Sequence, residues 1–412
     1  MKSTVVSTVA GFGLALLLGG IPAPTLWAAG EGAGAKGKED LQITLPPEFY
    51  AVPEVETAIY FDNIVCTQTP EAYTFVVTCK LGKTEERRWA VTPTPTQAGE
   101  YPLTVEVKDS AGKRSLAKAS TVLKVAPRKA GSKAKVRLLV IGDSLTAASV
   151  YPTEIRRLLD EQGNPDCEML GTINPSSGKV RHEGYGGWRW STFASQYKPG
   201  PATAPNLGSS PFVVAGKNDK PELDVPRYIQ EKCDGTPPDV ITVLLGVNDC
   251  FGAGKDPDDK KLVDNTIDDM FKNAEVFLAA LREAAPNAII GVGLTTPPNS
   301  RESGFEANYK GQYHRWEWKR VQHELVRREL EHFGGREKDR IYVIPTELNI
   351  DCVDGYPVDN GVHPNATGYK QIGASIYCWL KYRLQNMPEA KPRGGATSPA
   401  RRPSRPSTRQ GR

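Results

Sequence analysis

Apolar and polar positions give the chain three textures. From residue 136 onward, short apolar runs without polar alternation predict central parallel strands covered on both faces, Leu138-Leu139-Val140-Ile141 first among them. Such strands are expected at 136–141, 167–172, 240–245, 288–294 and 340–344. Between them lie helix-period stretches near 152–162, 263–285, 316–333 and 366–384. The 263–285 segment puts Ile267, Met270, Phe271, Ala274, Phe277, Leu278 and Leu281 on one stripe before Pro286 stops it. The last segment puts Tyr369, Ile372, Ile376 and Leu380 on one face. Five strands alternating with helices predict an α/β fold, a three-layer α/β/α doubly wound parallel sheet. In such a sheet ligands bind at the carboxyl edge of the strands, so Ser144, which follows the first strand, is a candidate nucleophile.

Residues 41–127 read differently, with short β-branched and aromatic runs and no helical period. Tyr101, Leu103, Val105 and Val107 alternate with Pro102, Thr104 and Glu106, and a polar turn at 109–112 returns the chain into a second run ending at Val125, a hairpin. Ala98-Gly99-Glu100-Tyr101 resembles the tyrosine corner of immunoglobulin-like sandwiches, with Leu103 where an antibody domain carries its second cysteine. The antibody order of Cys, Trp, Cys is absent, because Trp89 follows both Cys66 and Cys79. The expectation is a small Ig-like β-sandwich recognised by pattern, with Trp89 in its core.

The third texture is at the ends. Residues 1–29 carry Lys2, an apolar segment Val9 to Ile21, and small residues at Ala28 and Ala29, which reads as a secretory signal peptide and predicts a secreted or periplasmic protein with no stable membrane insertion. A Gly/Ala/Lys linker is expected at 30–40 and a basic linker at 128–135. Residues 386–412 form a basic tail rich in Pro, Ser, Gly and Arg, expected to be disordered, with loose contact to anionic cell-surface polymer as its candidate role.

A formal net charge of +4 gives no reason to expect a nucleic-acid partner. Seven cysteines in an exported chain predict disulfides, Cys66 with Cys79 first, then Cys233 with Cys250 and Cys352 with Cys378. None has metal-ligand spacing, no HExxH occurs, and no GxGxxG follows the first strand, so neither a metal nor a dinucleotide cofactor is expected.

Four stretches fall at one predicted sheet edge: Gly142-Asp143-Ser144-Leu145, Gly184-Tyr185-Gly186-Gly187-Trp188, Gly246-Val247-Asn248-Asp249 and Asn360-Gly361-Val362-His363-Pro364. Together, and in this order, they resemble the SGNH (GDSL) hydrolase family over about residues 136–385. The resemblance implies a flavodoxin-like sheet, a serine esterase without cofactor, Ser144 as nucleophile and His363 as base. It also implies oxyanion donors at the Ser144 N–H, Gly187 and Asn248. These residue types suit acyl transfer, because a serine hydroxyl needs an imidazole to take its proton and a tetrahedral oxyanion needs waiting donors. Of the other histidines only His182 lies near a block; His314, His323 and His332 fall near or on a surface helix.

The family's Asp three residues before the histidine is Asn360 here, with Asp359 one residue earlier. The ring can be steadied by Asp359, by the amide oxygen of Asn360, or by a backbone carbonyl in a Ser/His dyad. Asp359 is favoured, because exchanging an orienting Asp for Asn costs a serine protease about 10⁴ in kcat. For the substrate, export and an accessory β-sandwich suggest an acyl, chiefly acetyl, ester on a poly- or oligosaccharide. Trp188 and Trp190 are candidate stacking platforms beside a Pro/Gly-rich segment at 199–223. The alternatives are a lipase or thioesterase of the same fold, an acyltransferase, and a non-catalytic glycan- or wall-binding protein.

Overall fold

A computed structural model describes residues 41–217 and 220–385; the expected signal peptide, the 30–40 linker and the 386–412 tail lie outside them. The first seven strands are β1 (Glu48–Ala51), β2 (Thr57–Tyr60), β3 (Thr74–Thr78), β4 (Lys83–Thr84), β5 (Arg88–Val91), β6 (Gly99–Lys108) and β7 (Ser115–Val125), with a one-turn helix α1 (Phe61–Ile64) between β2 and β3. They form a four-stranded sheet in the order β1-β7-β6-β3 and a three-stranded sheet β2-β5-β4. All pairs are antiparallel except β1 with β7, which is parallel. The alternation in β6 is real: Leu103, Val105 and Val107 are fully buried, and they share one core with Ile59, Trp89 and Val91 from the other sheet. Trp89 meets Phe49 edge-on at 6.0 Å, and the Tyr101 hydroxyl donates to the carbonyl of Gln97 at 3.1 Å.

The second region contains β8 (Lys135–Gly142), β9 (Asp166–Leu170), β10 (Glu183–Gly184), β13 (Val240–Leu244), β14 (Ile289–Gly293) and β15 (Ile341–Ile344), with a small antiparallel hairpin of β11 (Val213–Ala215) and β12 (Pro221–Leu223) on the way. In the main sheet β9 and β10 both pair with β8, followed by β13, β14 and β15, every pair parallel. This gives the mixed α/β architecture built on a parallel sheet. Residues alternate between its two faces. Leu139, Ile141, Ile241, Val243, Ile290 and Val292 point into one layer, against α7 (Lys260–Ala284) and α9 (Arg315–Phe333). Val136, Leu138, Val140, Val240, Leu244 and Ile344 point into the other, against α3 (Val150–Asp160) and α10 (Ala366–Leu384). Every residue of the two predicted helical stripes lies in these layers. The short helices α2 (Ser144–Ala147), α4 (Trp190–Ser195), α5 (Val225–Lys232), α6 (Val247–Cys250) and α8 (Glu302–Tyr309) fill the connections. Among the described residues no helix is long and apolar enough to cross a membrane.

Two expectations change. Residues 128–135 are packed: Ala130 and Ala134 are buried in the α3/α10 layer, and the Lys381 ammonium donates to the Ala130 carbonyl at 2.6 Å. The expected disulfides do not form, and Cys79, Cys233, Cys250, Cys352 and Cys378 stand as thiols. Each of the last three already has a neighbour: Cys250 lies 3.9 Å from the Met270 sulfur, Cys352 donates to Asn63 at 2.8 Å, and Cys378 sits 3.9 Å from the Thr57 hydroxyl.

The β-sandwich region and the sheet region are joined along residues 347–352. Asn63, itself buried, donates to the carbonyls of Glu347 at 2.7 Å and Ile350 at 2.8 Å. The Tyr60 N–H takes the Leu348 carbonyl at 3.0 Å, the Ala58 N–H takes Asn349 Oδ1 at 2.8 Å, and Arg87 pairs with Asp351 at 2.6 Å. Leu348 itself packs in the sandwich core.

Candidate active site

Strand β8 delivers Ser144 to the carboxyl edge of the sheet. Its last residue, Gly142, has no room for a side chain, since a Cβ there would lie 2.0 Å from the Thr146 hydroxyl and 2.7 Å from the Leu244 carbonyl. The chain then turns into α2 with Asp143 as its N-cap, whose Oδ1 accepts from the Leu145 N–H at 3.0 Å. Ser144 occupies the first helical position, and its Oγ lies 2.8 Å from Nε2 of His363.

The state of His363 follows from its other nitrogen. Asn360 Oδ1 accepts from the N–H groups of Val362 at 3.1 Å and His363 at 2.9 Å, and it lies 3.2 Å from His363 Nδ1. Two backbone donors need an oxygen at that point, which fixes the orientation of the amide. An oxygen facing Nδ1 requires the proton on Nδ1, so Nε2 presents its lone pair to the Ser144 hydroxyl. Burial lowers the His363 pKa below its ordinary value of 6.5, which keeps the ring neutral near pH 7. Asp359, favoured from the sequence, is exposed and has no hydrogen bond to the ring among the described residues. Asn360 takes that place because the turn from 360 to 363 closes on its own backbone N–H groups, leaving Asp359 outside it.

That turn is held by a residue the sequence did not single out. Asn299, fully buried after β14, donates its Nδ2 to the carbonyls of Pro357 at 2.8 Å and Asn360 at 2.9 Å, and its own N–H to the Gly361 carbonyl at 2.9 Å. Only its setting, an asparagine directly after Pro297-Pro298 beyond a strand end, marked it in sequence.

The other predicted donors converge beside Ser144. Strand β10 pairs with the end of β8, so residues 185–190 emerge at the same edge as the serine. Gly187 is exposed with φ 79°, and among the described residues no acceptor takes its N–H or that of Ser144. Asn248, one residue into α6, sends Nδ2 to Asp143 Oδ2 at 3.2 Å and to the Trp188 carbonyl at 3.1 Å. Its amide therefore lies between the residue before Ser144 and the residue after Gly187. Gly246 makes this approach feasible: its φ of 122° suits only glycine, and a Cβ there would lie 2.4 Å from the Thr295 hydroxyl. Behind the edge sit three buried acids. Desolvation raises Asp143 and Asp249 to about 7 and Glu329 to about 8, so they hold protons far longer than ordinary carboxyls.

Both tryptophans proposed as stacking platforms are core residues. Trp188 is 3% exposed, stacks on Tyr185 at 4.0 Å and donates Nε1 to the Asn206 carbonyl, tying down the 199–223 segment. Trp190 is 1% exposed among Phe277 and Phe333. The aromatic anchors at this edge point inward because α4 must bury its apolar side against α7. His182 is also internal: its Nδ1 accepts from the Gly184 N–H at 3.1 Å, leaving Nε2 to bond the Ser149 hydroxyl at 2.9 Å.

A serine in contact with a neutral imidazole, at the carboxyl edge of a parallel sheet and beside free backbone N–H groups, is the equipment of an α/β serine hydrolase. The model of the GDSL-like lipase/acylhydrolase family matches residues 138–376, and the chain belongs to that family and is a carboxylic ester hydrolase. No curated protein matches it in sequence. Among solved structures, it is similar to a carbohydrate esterase family 3 protein from Talaromyces cellulolyticus, with 17% identity, 61% of this chain and 100% of that chain covered, and a TM-score of 0.39. A family two carbohydrate esterase from Clostridium thermocellum, an active-site mutant, is similar at 13% identity over 80% of this chain and 91% of that one, TM-score 0.34. An aryl esterase of M. smegmatis in inhibitor-bound form is similar at 16% identity over 60% and 99%, TM-score 0.36.

Proposed function

We propose that the chain is an exported serine esterase that removes short acyl groups, acetyl foremost, from a carbohydrate through an acyl-enzyme. The observation that carries the reading is the 2.8 Å contact between Ser144 Oγ and an His363 Nε2 left unprotonated by Asn360. In the first step Nε2 takes the hydroxyl proton while Oγ bonds to the ester carbon, and the carbonyl electrons move onto its oxygen. The N–H groups of Ser144 and Gly187 meet that oxyanion, and Asn248 joins them by turning one amide hydrogen away from the Trp188 carbonyl. Collapse breaks the bond to the sugar oxygen, which leaves with the proton from Nε2. Water then repeats the sequence on the acyl-enzyme, releasing the acid and restoring Ser144.

Asp143 supports this reading as a positioning residue, since one carboxyl caps the serine's helix and holds the asparagine. The export signal, the contact of the basic tail with anionic polymer, and an immunoglobulin-like origin for the two N-terminal sheets belong to the same proposal. For the last, the seven strands and the Tyr101 hydroxyl bonded back to Gln97 are the support. The test is a panel of acylated glycans and long-chain esters assayed with wild type and Ser144→Ala, alongside labelling by a fluorophosphonate probe. Labelling of Ser144 with preferential acetate release from glycans is expected. Preference for long-chain acyl esters would overturn the carbohydrate reading, and an unlabelled Ser144 would overturn the nucleophile.

A further inference from the structure

A series of aromatic rings links the histidine turn to the helical stretch that carries Asn248. Gly361, two residues before His363, gives its N–H to Asn308 Oδ1 at 2.9 Å, and a Cβ on it would lie 2.9 Å from the Phe305 ring. From there rings touch in series: Phe305 to Tyr309 at 5.7 Å, Tyr309 to Phe251 at 5.0 Å, and Phe251 to Tyr313 at 4.4 Å. Phe251 stands three residues after Asn248 on one continuous helical stretch, so both lie on the same face. Phe251, Tyr309 and Tyr313 are half-buried against the α7/α9 layer, and the Lys255 ammonium lies 5.1 Å from the Tyr313 ring centroid. Among the described residues neither tyrosine hydroxyl has a hydrogen-bond partner, and burial pushes the Tyr309 phenol up to about 12, so it stays an O–H donor at any working pH.

The chemistry of the step decides which half of an ester meets these rings. The departing oxygen takes its proton from His363 Nε2, so the alcohol half must lie on the histidine side, while the carbonyl oxygen faces the N–H groups of Ser144 and Gly187. Half-exposed rings carrying two unbonded hydroxyls suit an alcohol with apolar C–H faces and a polar rim, which describes a sugar ring. A plain alkyl chain would strip water from both hydroxyls and return no hydrogen bond.

Resting on the esterase reading above, we infer that Tyr309 and Tyr313, backed by Phe251, are the specificity-determining residues that stack on the sugar ring bearing the acyl group. They fill the role that the sequence assigned to Trp188 and Trp190.

The test compares an acetylated xylo-oligosaccharide with methyl acetate, which shares the acyl group and lacks the ring, on the full chain and on Tyr309→Ala, Tyr313→Ala and Tyr309→Phe. The alanine variants should raise KM for the oligosaccharide so that its loss in kcat/KM exceeds the loss on methyl acetate by about fivefold or more. Tyr309→Phe, which keeps the ring face, should fall between them and wild type. Equal losses on both substrates, or an unchanged KM for the oligosaccharide, would overturn the inference. Fluorophosphonate labelling of Ser144 reads the nucleophile independently of the alcohol. A wild type that labels yet treats both esters alike therefore sinks the aromatic platform and spares the esterase, whereas an unlabelled wild type sinks both.

Discussion

Replacing Asn360 by aspartate would put a full negative charge where an amide oxygen now stands, 3.2 Å from His363 Nδ1. At an effective dielectric of about 20, that charge favours the imidazolium by roughly 5 kcal/mol. Solvent reaching the half-buried ring, together with the desolvation of the new carboxylate, reduces this to about 2 kcal/mol, or roughly 1.5 pH units. The sign follows from the role of the ring. His363 acts as a base only when neutral, and burial already holds its pKa below 6.5, so the acidic limb of kcat/KM in the wild type lies below pH 6.5. In Asn360→Asp that limb should move upward by about one to two units, with activity at mild acid pH falling by about tenfold or more. The alkaline plateau should hold or rise, because the charge also favours the imidazolium of the transition state. Asn360→Ala places no charge and should leave the limb where it is, while the plateau falls by about 10² or more as the ring loses its fixed tautomer. Asp359→Ala should change neither. Initial rates on a short-chain ester across the acid-to-alkaline range give all four profiles. A limb that does not move in Asn360→Asp, or an equal loss from Asp359→Ala and Asn360→Ala, would refute the assignment of Asn360 to the ring.

Four further outcomes are expected. Asn248→Ala should lower kcat by about 10²–10³ with little change in KM, read by steady-state kinetics, since it removes one oxyanion donor. Trp190→Ala should lower stability by about 3–5 kcal/mol in denaturant unfolding and leave KM for a sugar ester unchanged in the folded fraction; a raised KM would return the residue to the binding surface. Asn63→Ala should cost about 2–4 kcal/mol and lower kcat as well, because it strips hydrogen bonds from the segment leading to the histidine turn. Glu329, raised to about 8 by burial, is protonated in the folded chain where the unfolded chain has released its proton. Its contribution is complete below the ordinary carboxyl pKa and is lost as pH rises toward and through about 8. Glu329→Gln should therefore lose less stability than wild type between acid and mildly alkaline pH, measured as thermal midpoint against pH.

The parallel sheet and its two helical layers were legible because burial on both faces writes itself as unbroken apolar runs, and helix stripes repeat at a fixed period. Ser144, Gly187 and Asn248 follow strand ends that share one sheet edge, and His363 reaches Ser144 from the turn before α10. What the sequence did not reveal were relations between side chains distant along the chain. The choice between Asp359 and Asn360 depends on which backbone N–H groups the turn presents, and no spacing rule contains that. Asn299 reaches the histidine turn through the carbonyls of residues about sixty positions away. Trp188 and Trp190 misled because composition reports an aromatic near a site without reporting which way it points. The aromatic step at Phe251, Tyr309 and Tyr313 went unread for the converse reason, its members coming from two connections that meet only in the folded chain.

The seam along residues 347–352 bears on what counts as a part of this molecule. Asn63, Tyr60, Ala58 and Arg87 supply hydrogen bonds to the segment after β15, and Leu348 is a core residue of the neighbouring sandwich. A fragment cut at the boundary between the two regions would leave buried carbonyls without donors on one side and a hole where Leu348 sat on the other. The two regions therefore share one cooperative unit: calorimetry should record a single transition, and an isolated 136–385 fragment should lack a stable histidine turn. The N-terminal sheets thus brace, through residues 347–352, the stretch of chain that leads to the histidine turn.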